Sequence, residues 1–538
     1  MKKFTLSGFI AILLIFTISV NASNSVISVS TEKTSTQVMS STPNEMNIQF
    51  HFGDINYFDV KTPMGIFTEI HMENAYSTNR VGEPILPAQR KLIAIPFGAE
   101  VNVQVSSFNV QTISLGDNGI KNVLMPLQYD IPKNMEASEI PFEFNTEAYN
   151  AKSFNESEIA KVEILGVMRG VRIARITVEP ARYNPSTNEL EIYNDIEVSL
   201  SYENADWDLT NQTFKSTYSP TFDMVYKSLL NIDDVYDDHP DLLTFPVRML
   251  IVSAPMFTDA LQPFIEWKTM MGYELTVAYT DEIGNSISEI QTWVHNEYNE
   301  GVANGNTPNF LVLVGDVQQV PASTTGSSSG RKTDLYYASV DGDYFPEMYY
   351  GRLSAQNVPD LTSQLDKILY YEKYEFATPD FLDDVTLIAG ADGSWNPAVG
   401  QPTIIYGTDN YYNAEHGYEN IWVYLDSYSG CYDDERFQTS FINYTAHCAE
   451  TVWADPHLGI SDVNSMSNPN EYPIAIGNCC MSADFGYGEC IGETFLRRDN
   501  GGAVGYIGSS PSSYWFEDFY WSVGAFPISG NNNGYVPT

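Results

Sequence analysis

The sequence predicts an α/β fold, a mainly parallel sheet flanked by helices, preceded by a β-rich region. Three observations predict it. From Val247 onward, short apolar runs alternate with segments whose apolar residues recur at helical spacing; such alternation implies right-handed crossovers and parallel pairing. Before that, Leu190, Ile192, Ile196, Val198 and Leu200 alternate with polar residues, the period of strands with one wet face. Between the two lies an acidic stretch, about 203–245, ending in Asp233-Asp234-Val-Tyr-Asp237-Asp238-His-Pro240-Asp241 and read as a linker.

Taken in order, Lys2 and Lys3, the apolar run Phe9 to Val20 and the small-residue site Val20-Asn21-Ala22 predict a secretory signal over 1–22, too short to span a membrane. No later run is long enough to cross a bilayer. Residues 23 to about 45, rich in Ser, Thr and Asn, are expected to be flexible. From about 46 to 205 the pattern is β: Val171, Ile173 and Ile176, a turn at Asn184-Pro-Ser-Thr-Asn188, then the alternating run. The α/β part begins with a buried strand over Val247–Ser253. Helical spacing follows from Phe257 to Met271, then a strand over Tyr273–Tyr279. Ile287, Ile290, Trp293 and Val294 form a helix face, and Asn309–Val314 a third strand. Leu361, Leu365, Ile368 and Leu369 mark another helix. Strands continue at Val385–Ala389, Ile421–Leu425, Phe441–Thr445, Tyr472–Ile476 and Ala503–Ile507, and those from about 381 form a second subdomain. The Gly326–Thr333 stretch is one residue short of a phosphate loop and follows no strand, so it reads as a surface loop.

The 538 residues need more than one core. A formal net charge of −42 excludes nucleic acid and anionic membranes as partners, and offers carboxylates to divalent cations or a basic substrate. Five cysteines, all in the last quarter, are too few for a disulfide framework, and the odd count leaves at least one thiol free within the chain.

The chemistry concentrates at two strand ends. His447 closes one apolar run and Cys479-Cys480 the next, and the crevice beyond strand carboxyl ends is where α/β sheets bind ligands. An imidazole there can hold a thiol as thiolate and later protonate a leaving amine, while turn amides near both residues can bind an oxyanion. Asp341, Asp343 and Glu347 put three carboxylates into seven residues, a loop too short for an EF-hand but suited to Ca²⁺.

Three segments carry a family resemblance. Tyr444-Thr-Ala-His-Cys-Ala-Glu-Thr-Val-Trp-Ala-Asp-Pro456, Ala475-Ile-Gly-Asn-Cys-Cys480 and the run from Tyr506 to Ala525 resemble the gingipain-type cysteine peptidases, peptidase family C25, and most of all their lysine-specific members. The resemblance spans roughly 246–526. It implies a caspase-like catalytic domain, with 23–228 as propeptide and linker, 229–380 as a first α/β subdomain and 381–538 as a second. It implies Cys480 as nucleophile, His447 as base and Asp392 as the acid orienting the ring, although Asp392-Gly393 reads equally as a turn. Backbone amides of Cys448 and Cys480 would form the oxyanion hole. Asp518 would select lysine, with Glu517 as a competitor, and Trp515 would cover the lysine stem. The implied Ca²⁺ ligands are Asp316, Asp341, Asp343, Phe345 and Glu347, with a second site at Phe485 and Glu493. The chain is therefore expected to be a secreted precursor of a cysteine endopeptidase cutting after lysine, its propeptide an intramolecular inhibitor and its partners protein substrates.

The chain departs from the pattern in three places. Cys448 replaces the family's glycine, and a bond to a nearby thiol is one outcome. No arginine marks the propeptide junction, where Lys227 is the nearest upstream basic residue. The resemblance also implies further sequence past Thr538, including domains that attach relatives to the cell surface. The rival readings are a silent relative acting as an adhesin, a protein-sorting peptidase of the same fold, and a Ca²⁺-dependent binding module.

Overall fold

A computed structural model describes residues 25–135, 137–235, 246–326, 330–527 and 535–537; the signal segment lies outside them. The strands of the amino-terminal unit pair antiparallel, with isolated parallel bridges at Thr68–Leu124 and Val81–Leu127. Its sheets bury Ile48, Phe50, Ile93, Ile176, Ile192 and Val198 in one core. Two of its strands, β1 (Ala160–Met168) and β2 (Val171–Val178), form a hairpin whose two-residue turn is Arg169-Gly170, both at positive φ.

Two expectations fail here. The described part of the 23–45 stretch, from Ser25, carries strands Ser25–Ile27 and Ser35–Thr42, the second held by pairing of Val38 with Ile48 in the sheet. The described part of the 203–245 stretch, up to Val235, is no simple linker; its acidic end, 236–245, lies outside the described residues. It carries helix α1 (Trp207–Thr217), capped by the Asp206 side chain on the Leu209 amide, and short helices at Asp223–Tyr226 and Ile232–Val235. Its acids hide an apolar face: Phe214, Phe222, Tyr226 and Leu229 pack against Val171 and Ile173.

The carboxyl-terminal part holds two parallel sheets. The first is built from β3 (Arg248–Ser253), α2 (Thr258–Met270), β4 (Glu274–Tyr279), α3 (Ile287–Asn304), β5 (Phe310–Val314), β6 (Tyr349–Leu353) and α4 (Val358–Glu372), with strand order β4-β3-β5-β6. Ser286 and Glu289 close a capping box on α3, and Gly305 ends it in the left-handed region. Leu250, Val252 and Leu313 meet α3 on one face, while Met249, Ile251 and Val314 meet α2 and α4 on the other. Two-sided burial is what continuous apolar runs encode.

The second sheet comprises β7 (Val385–Ala389), α5 (Gln401–Asn410), β8 (Ile421–Tyr424), β9 (Phe441–Thr445), β10 (Ile474–Asn478), α6 (Ile491–Arg497), β11 (Gly505–Gly508) and α7 (Trp515–Val523). Its order is β8-β7-β9-β10-β11, all parallel. Every residue of β7 is buried, as a central strand requires. β10 and β11 each start two residues later than the sequence pattern predicts. The order reverses between β7 and β9, and that switch point opens a crevice at the carboxyl edge. Among the described residues no helix is long and apolar enough to cross a membrane.

Candidate active site

Three strand ends converge at the crevice. Asp392 follows β7, His447 follows β9 and Cys480 follows β10. Both ring nitrogens of His447 face oxygens: Nε2 lies 3.3 Å from Asp392 Oδ2, and Nδ1 donates to the main-chain oxygen of Lys133. A carbonyl oxygen only accepts, so Nδ1 carries a proton in this contact. The other oxygen of Asp392 accepts from the amides of Ser394 and Trp395, so the residue is at once the turn former and the acid on the histidine.

Cys480 is buried. Its sulfur accepts from the Ser513 amide at 3.3 Å, and the thiol lies 3.7 Å from the Ser513 carbonyl oxygen. Burial pushes the thiol up, opposed by the Ser513 contacts and by the charge of Lys133. No hydrogen bond joins Cys480 to His447 among the described residues; each has a separate partner. The Cys480 amide makes none either, which leaves it available to an oxyanion. Met481, next in sequence, is held at φ 56°, a left-handed turn that aims the nucleophile.

Cys448, where sequence left its consequence open, is bonded to Cys479. The bridge joins the residue after the histidine to the residue before the nucleophile. It ties the two strand ends together and leaves Cys431, Cys480 and Cys490 as free thiols.

The crevice is filled by Lys133, which sequence reasoning missed. It comes from the amino-terminal unit and is 0% exposed. Its ammonium sits 2.8 Å from Asp518 Oδ2, donates to the Asn478 carbonyl at 2.7 Å and lies 5.0 Å from the Trp515 ring. The segment lies antiparallel beside 513–515: the Lys133 amide donates to Ser513 O at 2.8 Å, Pro132 forms an isolated bridge with Tyr514, and the Trp515 amide donates to Ile131 O. Burial pulls the ammonium down and Asp518 holds it up. Trp515 also packs edge-on against His447 and stacks on Trp395. Asp518 is thus the anion at the pocket floor. Glu517 turns instead to Asp130, with which its side chain is hydrogen-bonded; burial and that neighbour push it up to about 7.

The expected calcium ligands separate into two groups. Asp316 and Glu493 are joined through Arg497, at 3.1 and 2.8 Å, and Asp316 also accepts from Gln356. A cation pair already satisfies them, so this pair does not suit a metal. Phe485 packs its ring beneath the Arg352 guanidinium. Asp341, Asp343, Phe345 and Glu347 share one loop. There the Phe345 amide donates to Asp343 Oδ1 at 2.7 Å, and Glu347 Oε1 is buried with no hydrogen-bond partner. Burial, with Asp341 and Asp343 nearby, pushes Glu347 up to about 8. That orphaned oxygen and crowded charge are what a hard cation would relieve. Even so, no group of three or more His, Cys, Asp or Glu side chains among the described residues is arranged to hold a metal.

Comparison with known proteins shows the family. The sequence model of peptidase family C25 matches residues 243–534, and that of the C25 propeptide matches 30–237. Lys-gingipain W83 of Porphyromonas gingivalis is 45% identical over 490 residues, which are 90% of this chain and 28% of that protein. Gingipain R2 of the same species is 26% identical over 494 residues, 89% of this chain and 65% of the relative. A solved chain described as "Structure of Protease" superposes with a TM-score of 0.52 at 49% identity, covering 55% of this chain and 66% of that one. The chain spans under a third of the length of the lysine-gingipain relatives it matches.

Proposed function

Because the chain belongs to peptidase family C25, we propose that it is the latent precursor of a secreted cysteine endopeptidase that cuts proteins after lysine. One observation carries the reading. A lysine of the chain's own propeptide lies in the crevice as a substrate lysine would, its ammonium on Asp518, its stem against Trp515 and its carbonyl on His447.

In the released enzyme Cys480, as thiolate, attacks the scissile carbonyl carbon. The carbonyl π electrons move to oxygen, where amides of Cys480 and Cys448 stabilise the charge. His447 gives its Nδ1 proton to the leaving amine, and water then releases the acyl group from sulfur. Asp392 on Nε2 fixes the orientation of the ring. The pocket selects lysine because a buried ammonium needs a facing anion.

Latency has a chemical basis in the same contacts. The Lys133 carbonyl occupies the Nδ1 proton that a leaving amine would need, and the buried thiol is pushed towards its neutral form. The segment can therefore occupy the cleft without being cut.

The test is cleavage of paired lysyl and arginyl peptides by protein freed of its propeptide, with labelling by a lysyl chloromethyl ketone. The expected result is a lysyl preference of at least about 100-fold, label on Cys480, and loss of both in Cys480→Ala. An arginyl preference, or label on another cysteine, overturns the assignment.

The 341–347 loop is proposed as a structural Ca²⁺ site, supported by the unpartnered oxygen of Glu347. A carboxyl whose folded pKa is raised contributes stability below about pH 4.5 that is lost as pH rises through about 8. Added Ca²⁺ should raise the melting temperature at pH 8 more than at pH 5, and Glu347→Gln should abolish that difference. Equal melting curves with Ca²⁺ and with chelator would refute the site.

A further inference from the structure

A second buried cation crosses from the propeptide into the catalytic part, far from the crevice in the fold. Arg169 occupies the first turn position of the β1–β2 hairpin at φ 50°, with Gly170 at φ 74°. A two-residue turn with both central residues at positive φ favours Asn, Asp or Gly, so arginine there carries a backbone penalty. Glycine is required at 170, since a Cβ would run into Thr217 Oγ1.

What the arginine gains is a socket. The residue is 1% exposed. Its guanidinium donates from Nε to Thr217 O at 2.7 Å, from Nη1 to Pro308 O and to Glu347 O at 3.1 Å, and from Nη2 to Thr307 O at 3.0 Å. The rings of Phe222 and Tyr298 lie over it at 5.1 and 5.8 Å. Three of the four accepting carbonyls belong to the catalytic part. Among the described residues no carboxylate lies within ion-pair distance of it; carbonyl dipoles and aromatic faces meet the guanidinium, with the Glu347 charge acting from further off, a geometry suited to the planar five-donor fork of arginine and not to a lysine.

The surroundings complete an interface. The Val167 amide donates to Asp343 Oδ2 at 2.8 Å, and Thr307 Oγ1 donates to Ser216 O at 2.7 Å. Tyr349 Oη donates to Thr221 O at 3.1 Å, and Phe222 stacks on Tyr349 with centroids 4.5 Å apart. Thr307 and Pro308 precede β5 and Glu347 precedes β6, so the socket lies at the amino edge of the first sheet. The catalytic residues lie at the carboxyl edge of the second.

We propose that the catalytic domain carries a second propeptide-recognition site, a guanidinium socket formed by the carbonyls of Thr307, Pro308 and Glu347 with the Tyr298 ring, whose occupant is Arg169. The inference rests on the reading of the amino-terminal unit as an inhibitory propeptide and adds an anchor independent of Lys133. Cutting the connection between the two parts, or displacing Lys133 with substrate, leaves this anchor in place. The propeptide then leaves slowly, after both contacts are broken.

The test uses the full chain with Cys480→Ala to prevent self-processing and a foreign protease site placed within 236–245. After cutting, the rate of propeptide release is followed by surface capture. Arg169→Ala should speed release at least tenfold, in both the Lys133 and the Lys133→Ala backgrounds. Arg169→Lys should fall close to Arg169→Ala, because an ammonium cannot serve the fork. Release within twofold of the parent, or a lysine variant equal to arginine, would overturn the socket. If Lys133→Ala has no effect while Arg169→Ala does, the cleft reading fails and the socket stands. The reverse result removes the socket alone.

Discussion

Replacing Lys133 with alanine should undo latency, and the structure sets the size of the effect. The ammonium is fully buried, 2.8 Å from Asp518, and donates to the Asn478 carbonyl. Removing one partner of a buried pair costs about 3–5 kcal/mol, mostly because the other charge is left without a partner in a dry site. Asp518 retains 17% side-chain exposure, so water can reach it once the ammonium is gone. A figure at or just under the low end of that range, about 2–3 kcal/mol, is therefore the better one, and it corresponds to roughly 30- to 150-fold weaker docking. The assay is the inhibition constant of the cut propeptide against hydrolysis of a lysyl anilide by the chain's own catalytic part. Lys133→Met, which keeps the stem against Trp515, should recover only a minor share. An inhibition constant within threefold of the parent would show that the lysine merely fills space and would refute the substrate-like docking.

Two further outcomes follow from the crevice. Cys448→Ala with Cys479→Ala opens a loop with a sequence separation of 31, worth about 3–4 kcal/mol on the chain-entropy account, so the melting temperature should drop on the order of 10 °C. Unchanged melting on adding a reductant would show that the bridge is not formed. Propeptide docking should also weaken as pH rises. Glu517 is raised to about 7 by burial and by Asp130, so its contribution is complete below about pH 4.5 and is lost through pH 7, where Asp130, Glu517 and Asp518 repel one another around the single charge of Lys133. Glu517→Gln, which can hydrogen-bond to Asp130 at any pH, should flatten the dependence of release rate on pH between 5 and 8; an unchanged slope would assign it elsewhere.

The parts of the site legible in sequence were those fixed by local pattern. His447 and Cys480 end apolar runs, and a parallel strand's end is visible in the residues themselves. Trp515 and Asp518 came from the resemblance, since one turn of helix gives no hint of facing a pocket. What stayed hidden was decided by contacts distant in sequence. Lys133 is an ordinary cation in a proline-containing extended stretch; its role exists only because that stretch lies antiparallel beside 513–515. The one hint was a lysine after Pro132 in the propeptide of a chain that resembles lysine-specific peptidases. The Cys448–Cys479 pairing depended on β9 and β10 being neighbours. β6 escaped notice because it is an edge strand with Tyr349 and Tyr350 exposed. α5 escaped because Pro402 and Gly407 interrupt its pattern. The helices of 207–235 were masked by their own acids.

The position of the disulfide bears on how such a site tolerates a side chain where relatives carry glycine. A side chain beside the oxyanion amide would be expected to crowd the substrate. Here the Cys448 side chain is instead drawn to Cys479, behind the nucleophile. The substitution therefore occurs with a compensating partner, and the partner is the residue that makes the cysteine pair at 479–480. Two oddities of the sequence, an extra thiol beside the histidine and an extra thiol beside the nucleophile, thus have one physical cause. Each alone would be a reactive liability near an active thiol. Paired, they remove two thiols from exchange and tie together the ends of β9 and β10, the two ends that carry His447 and Cys480 and on whose separation the proposed mechanism depends.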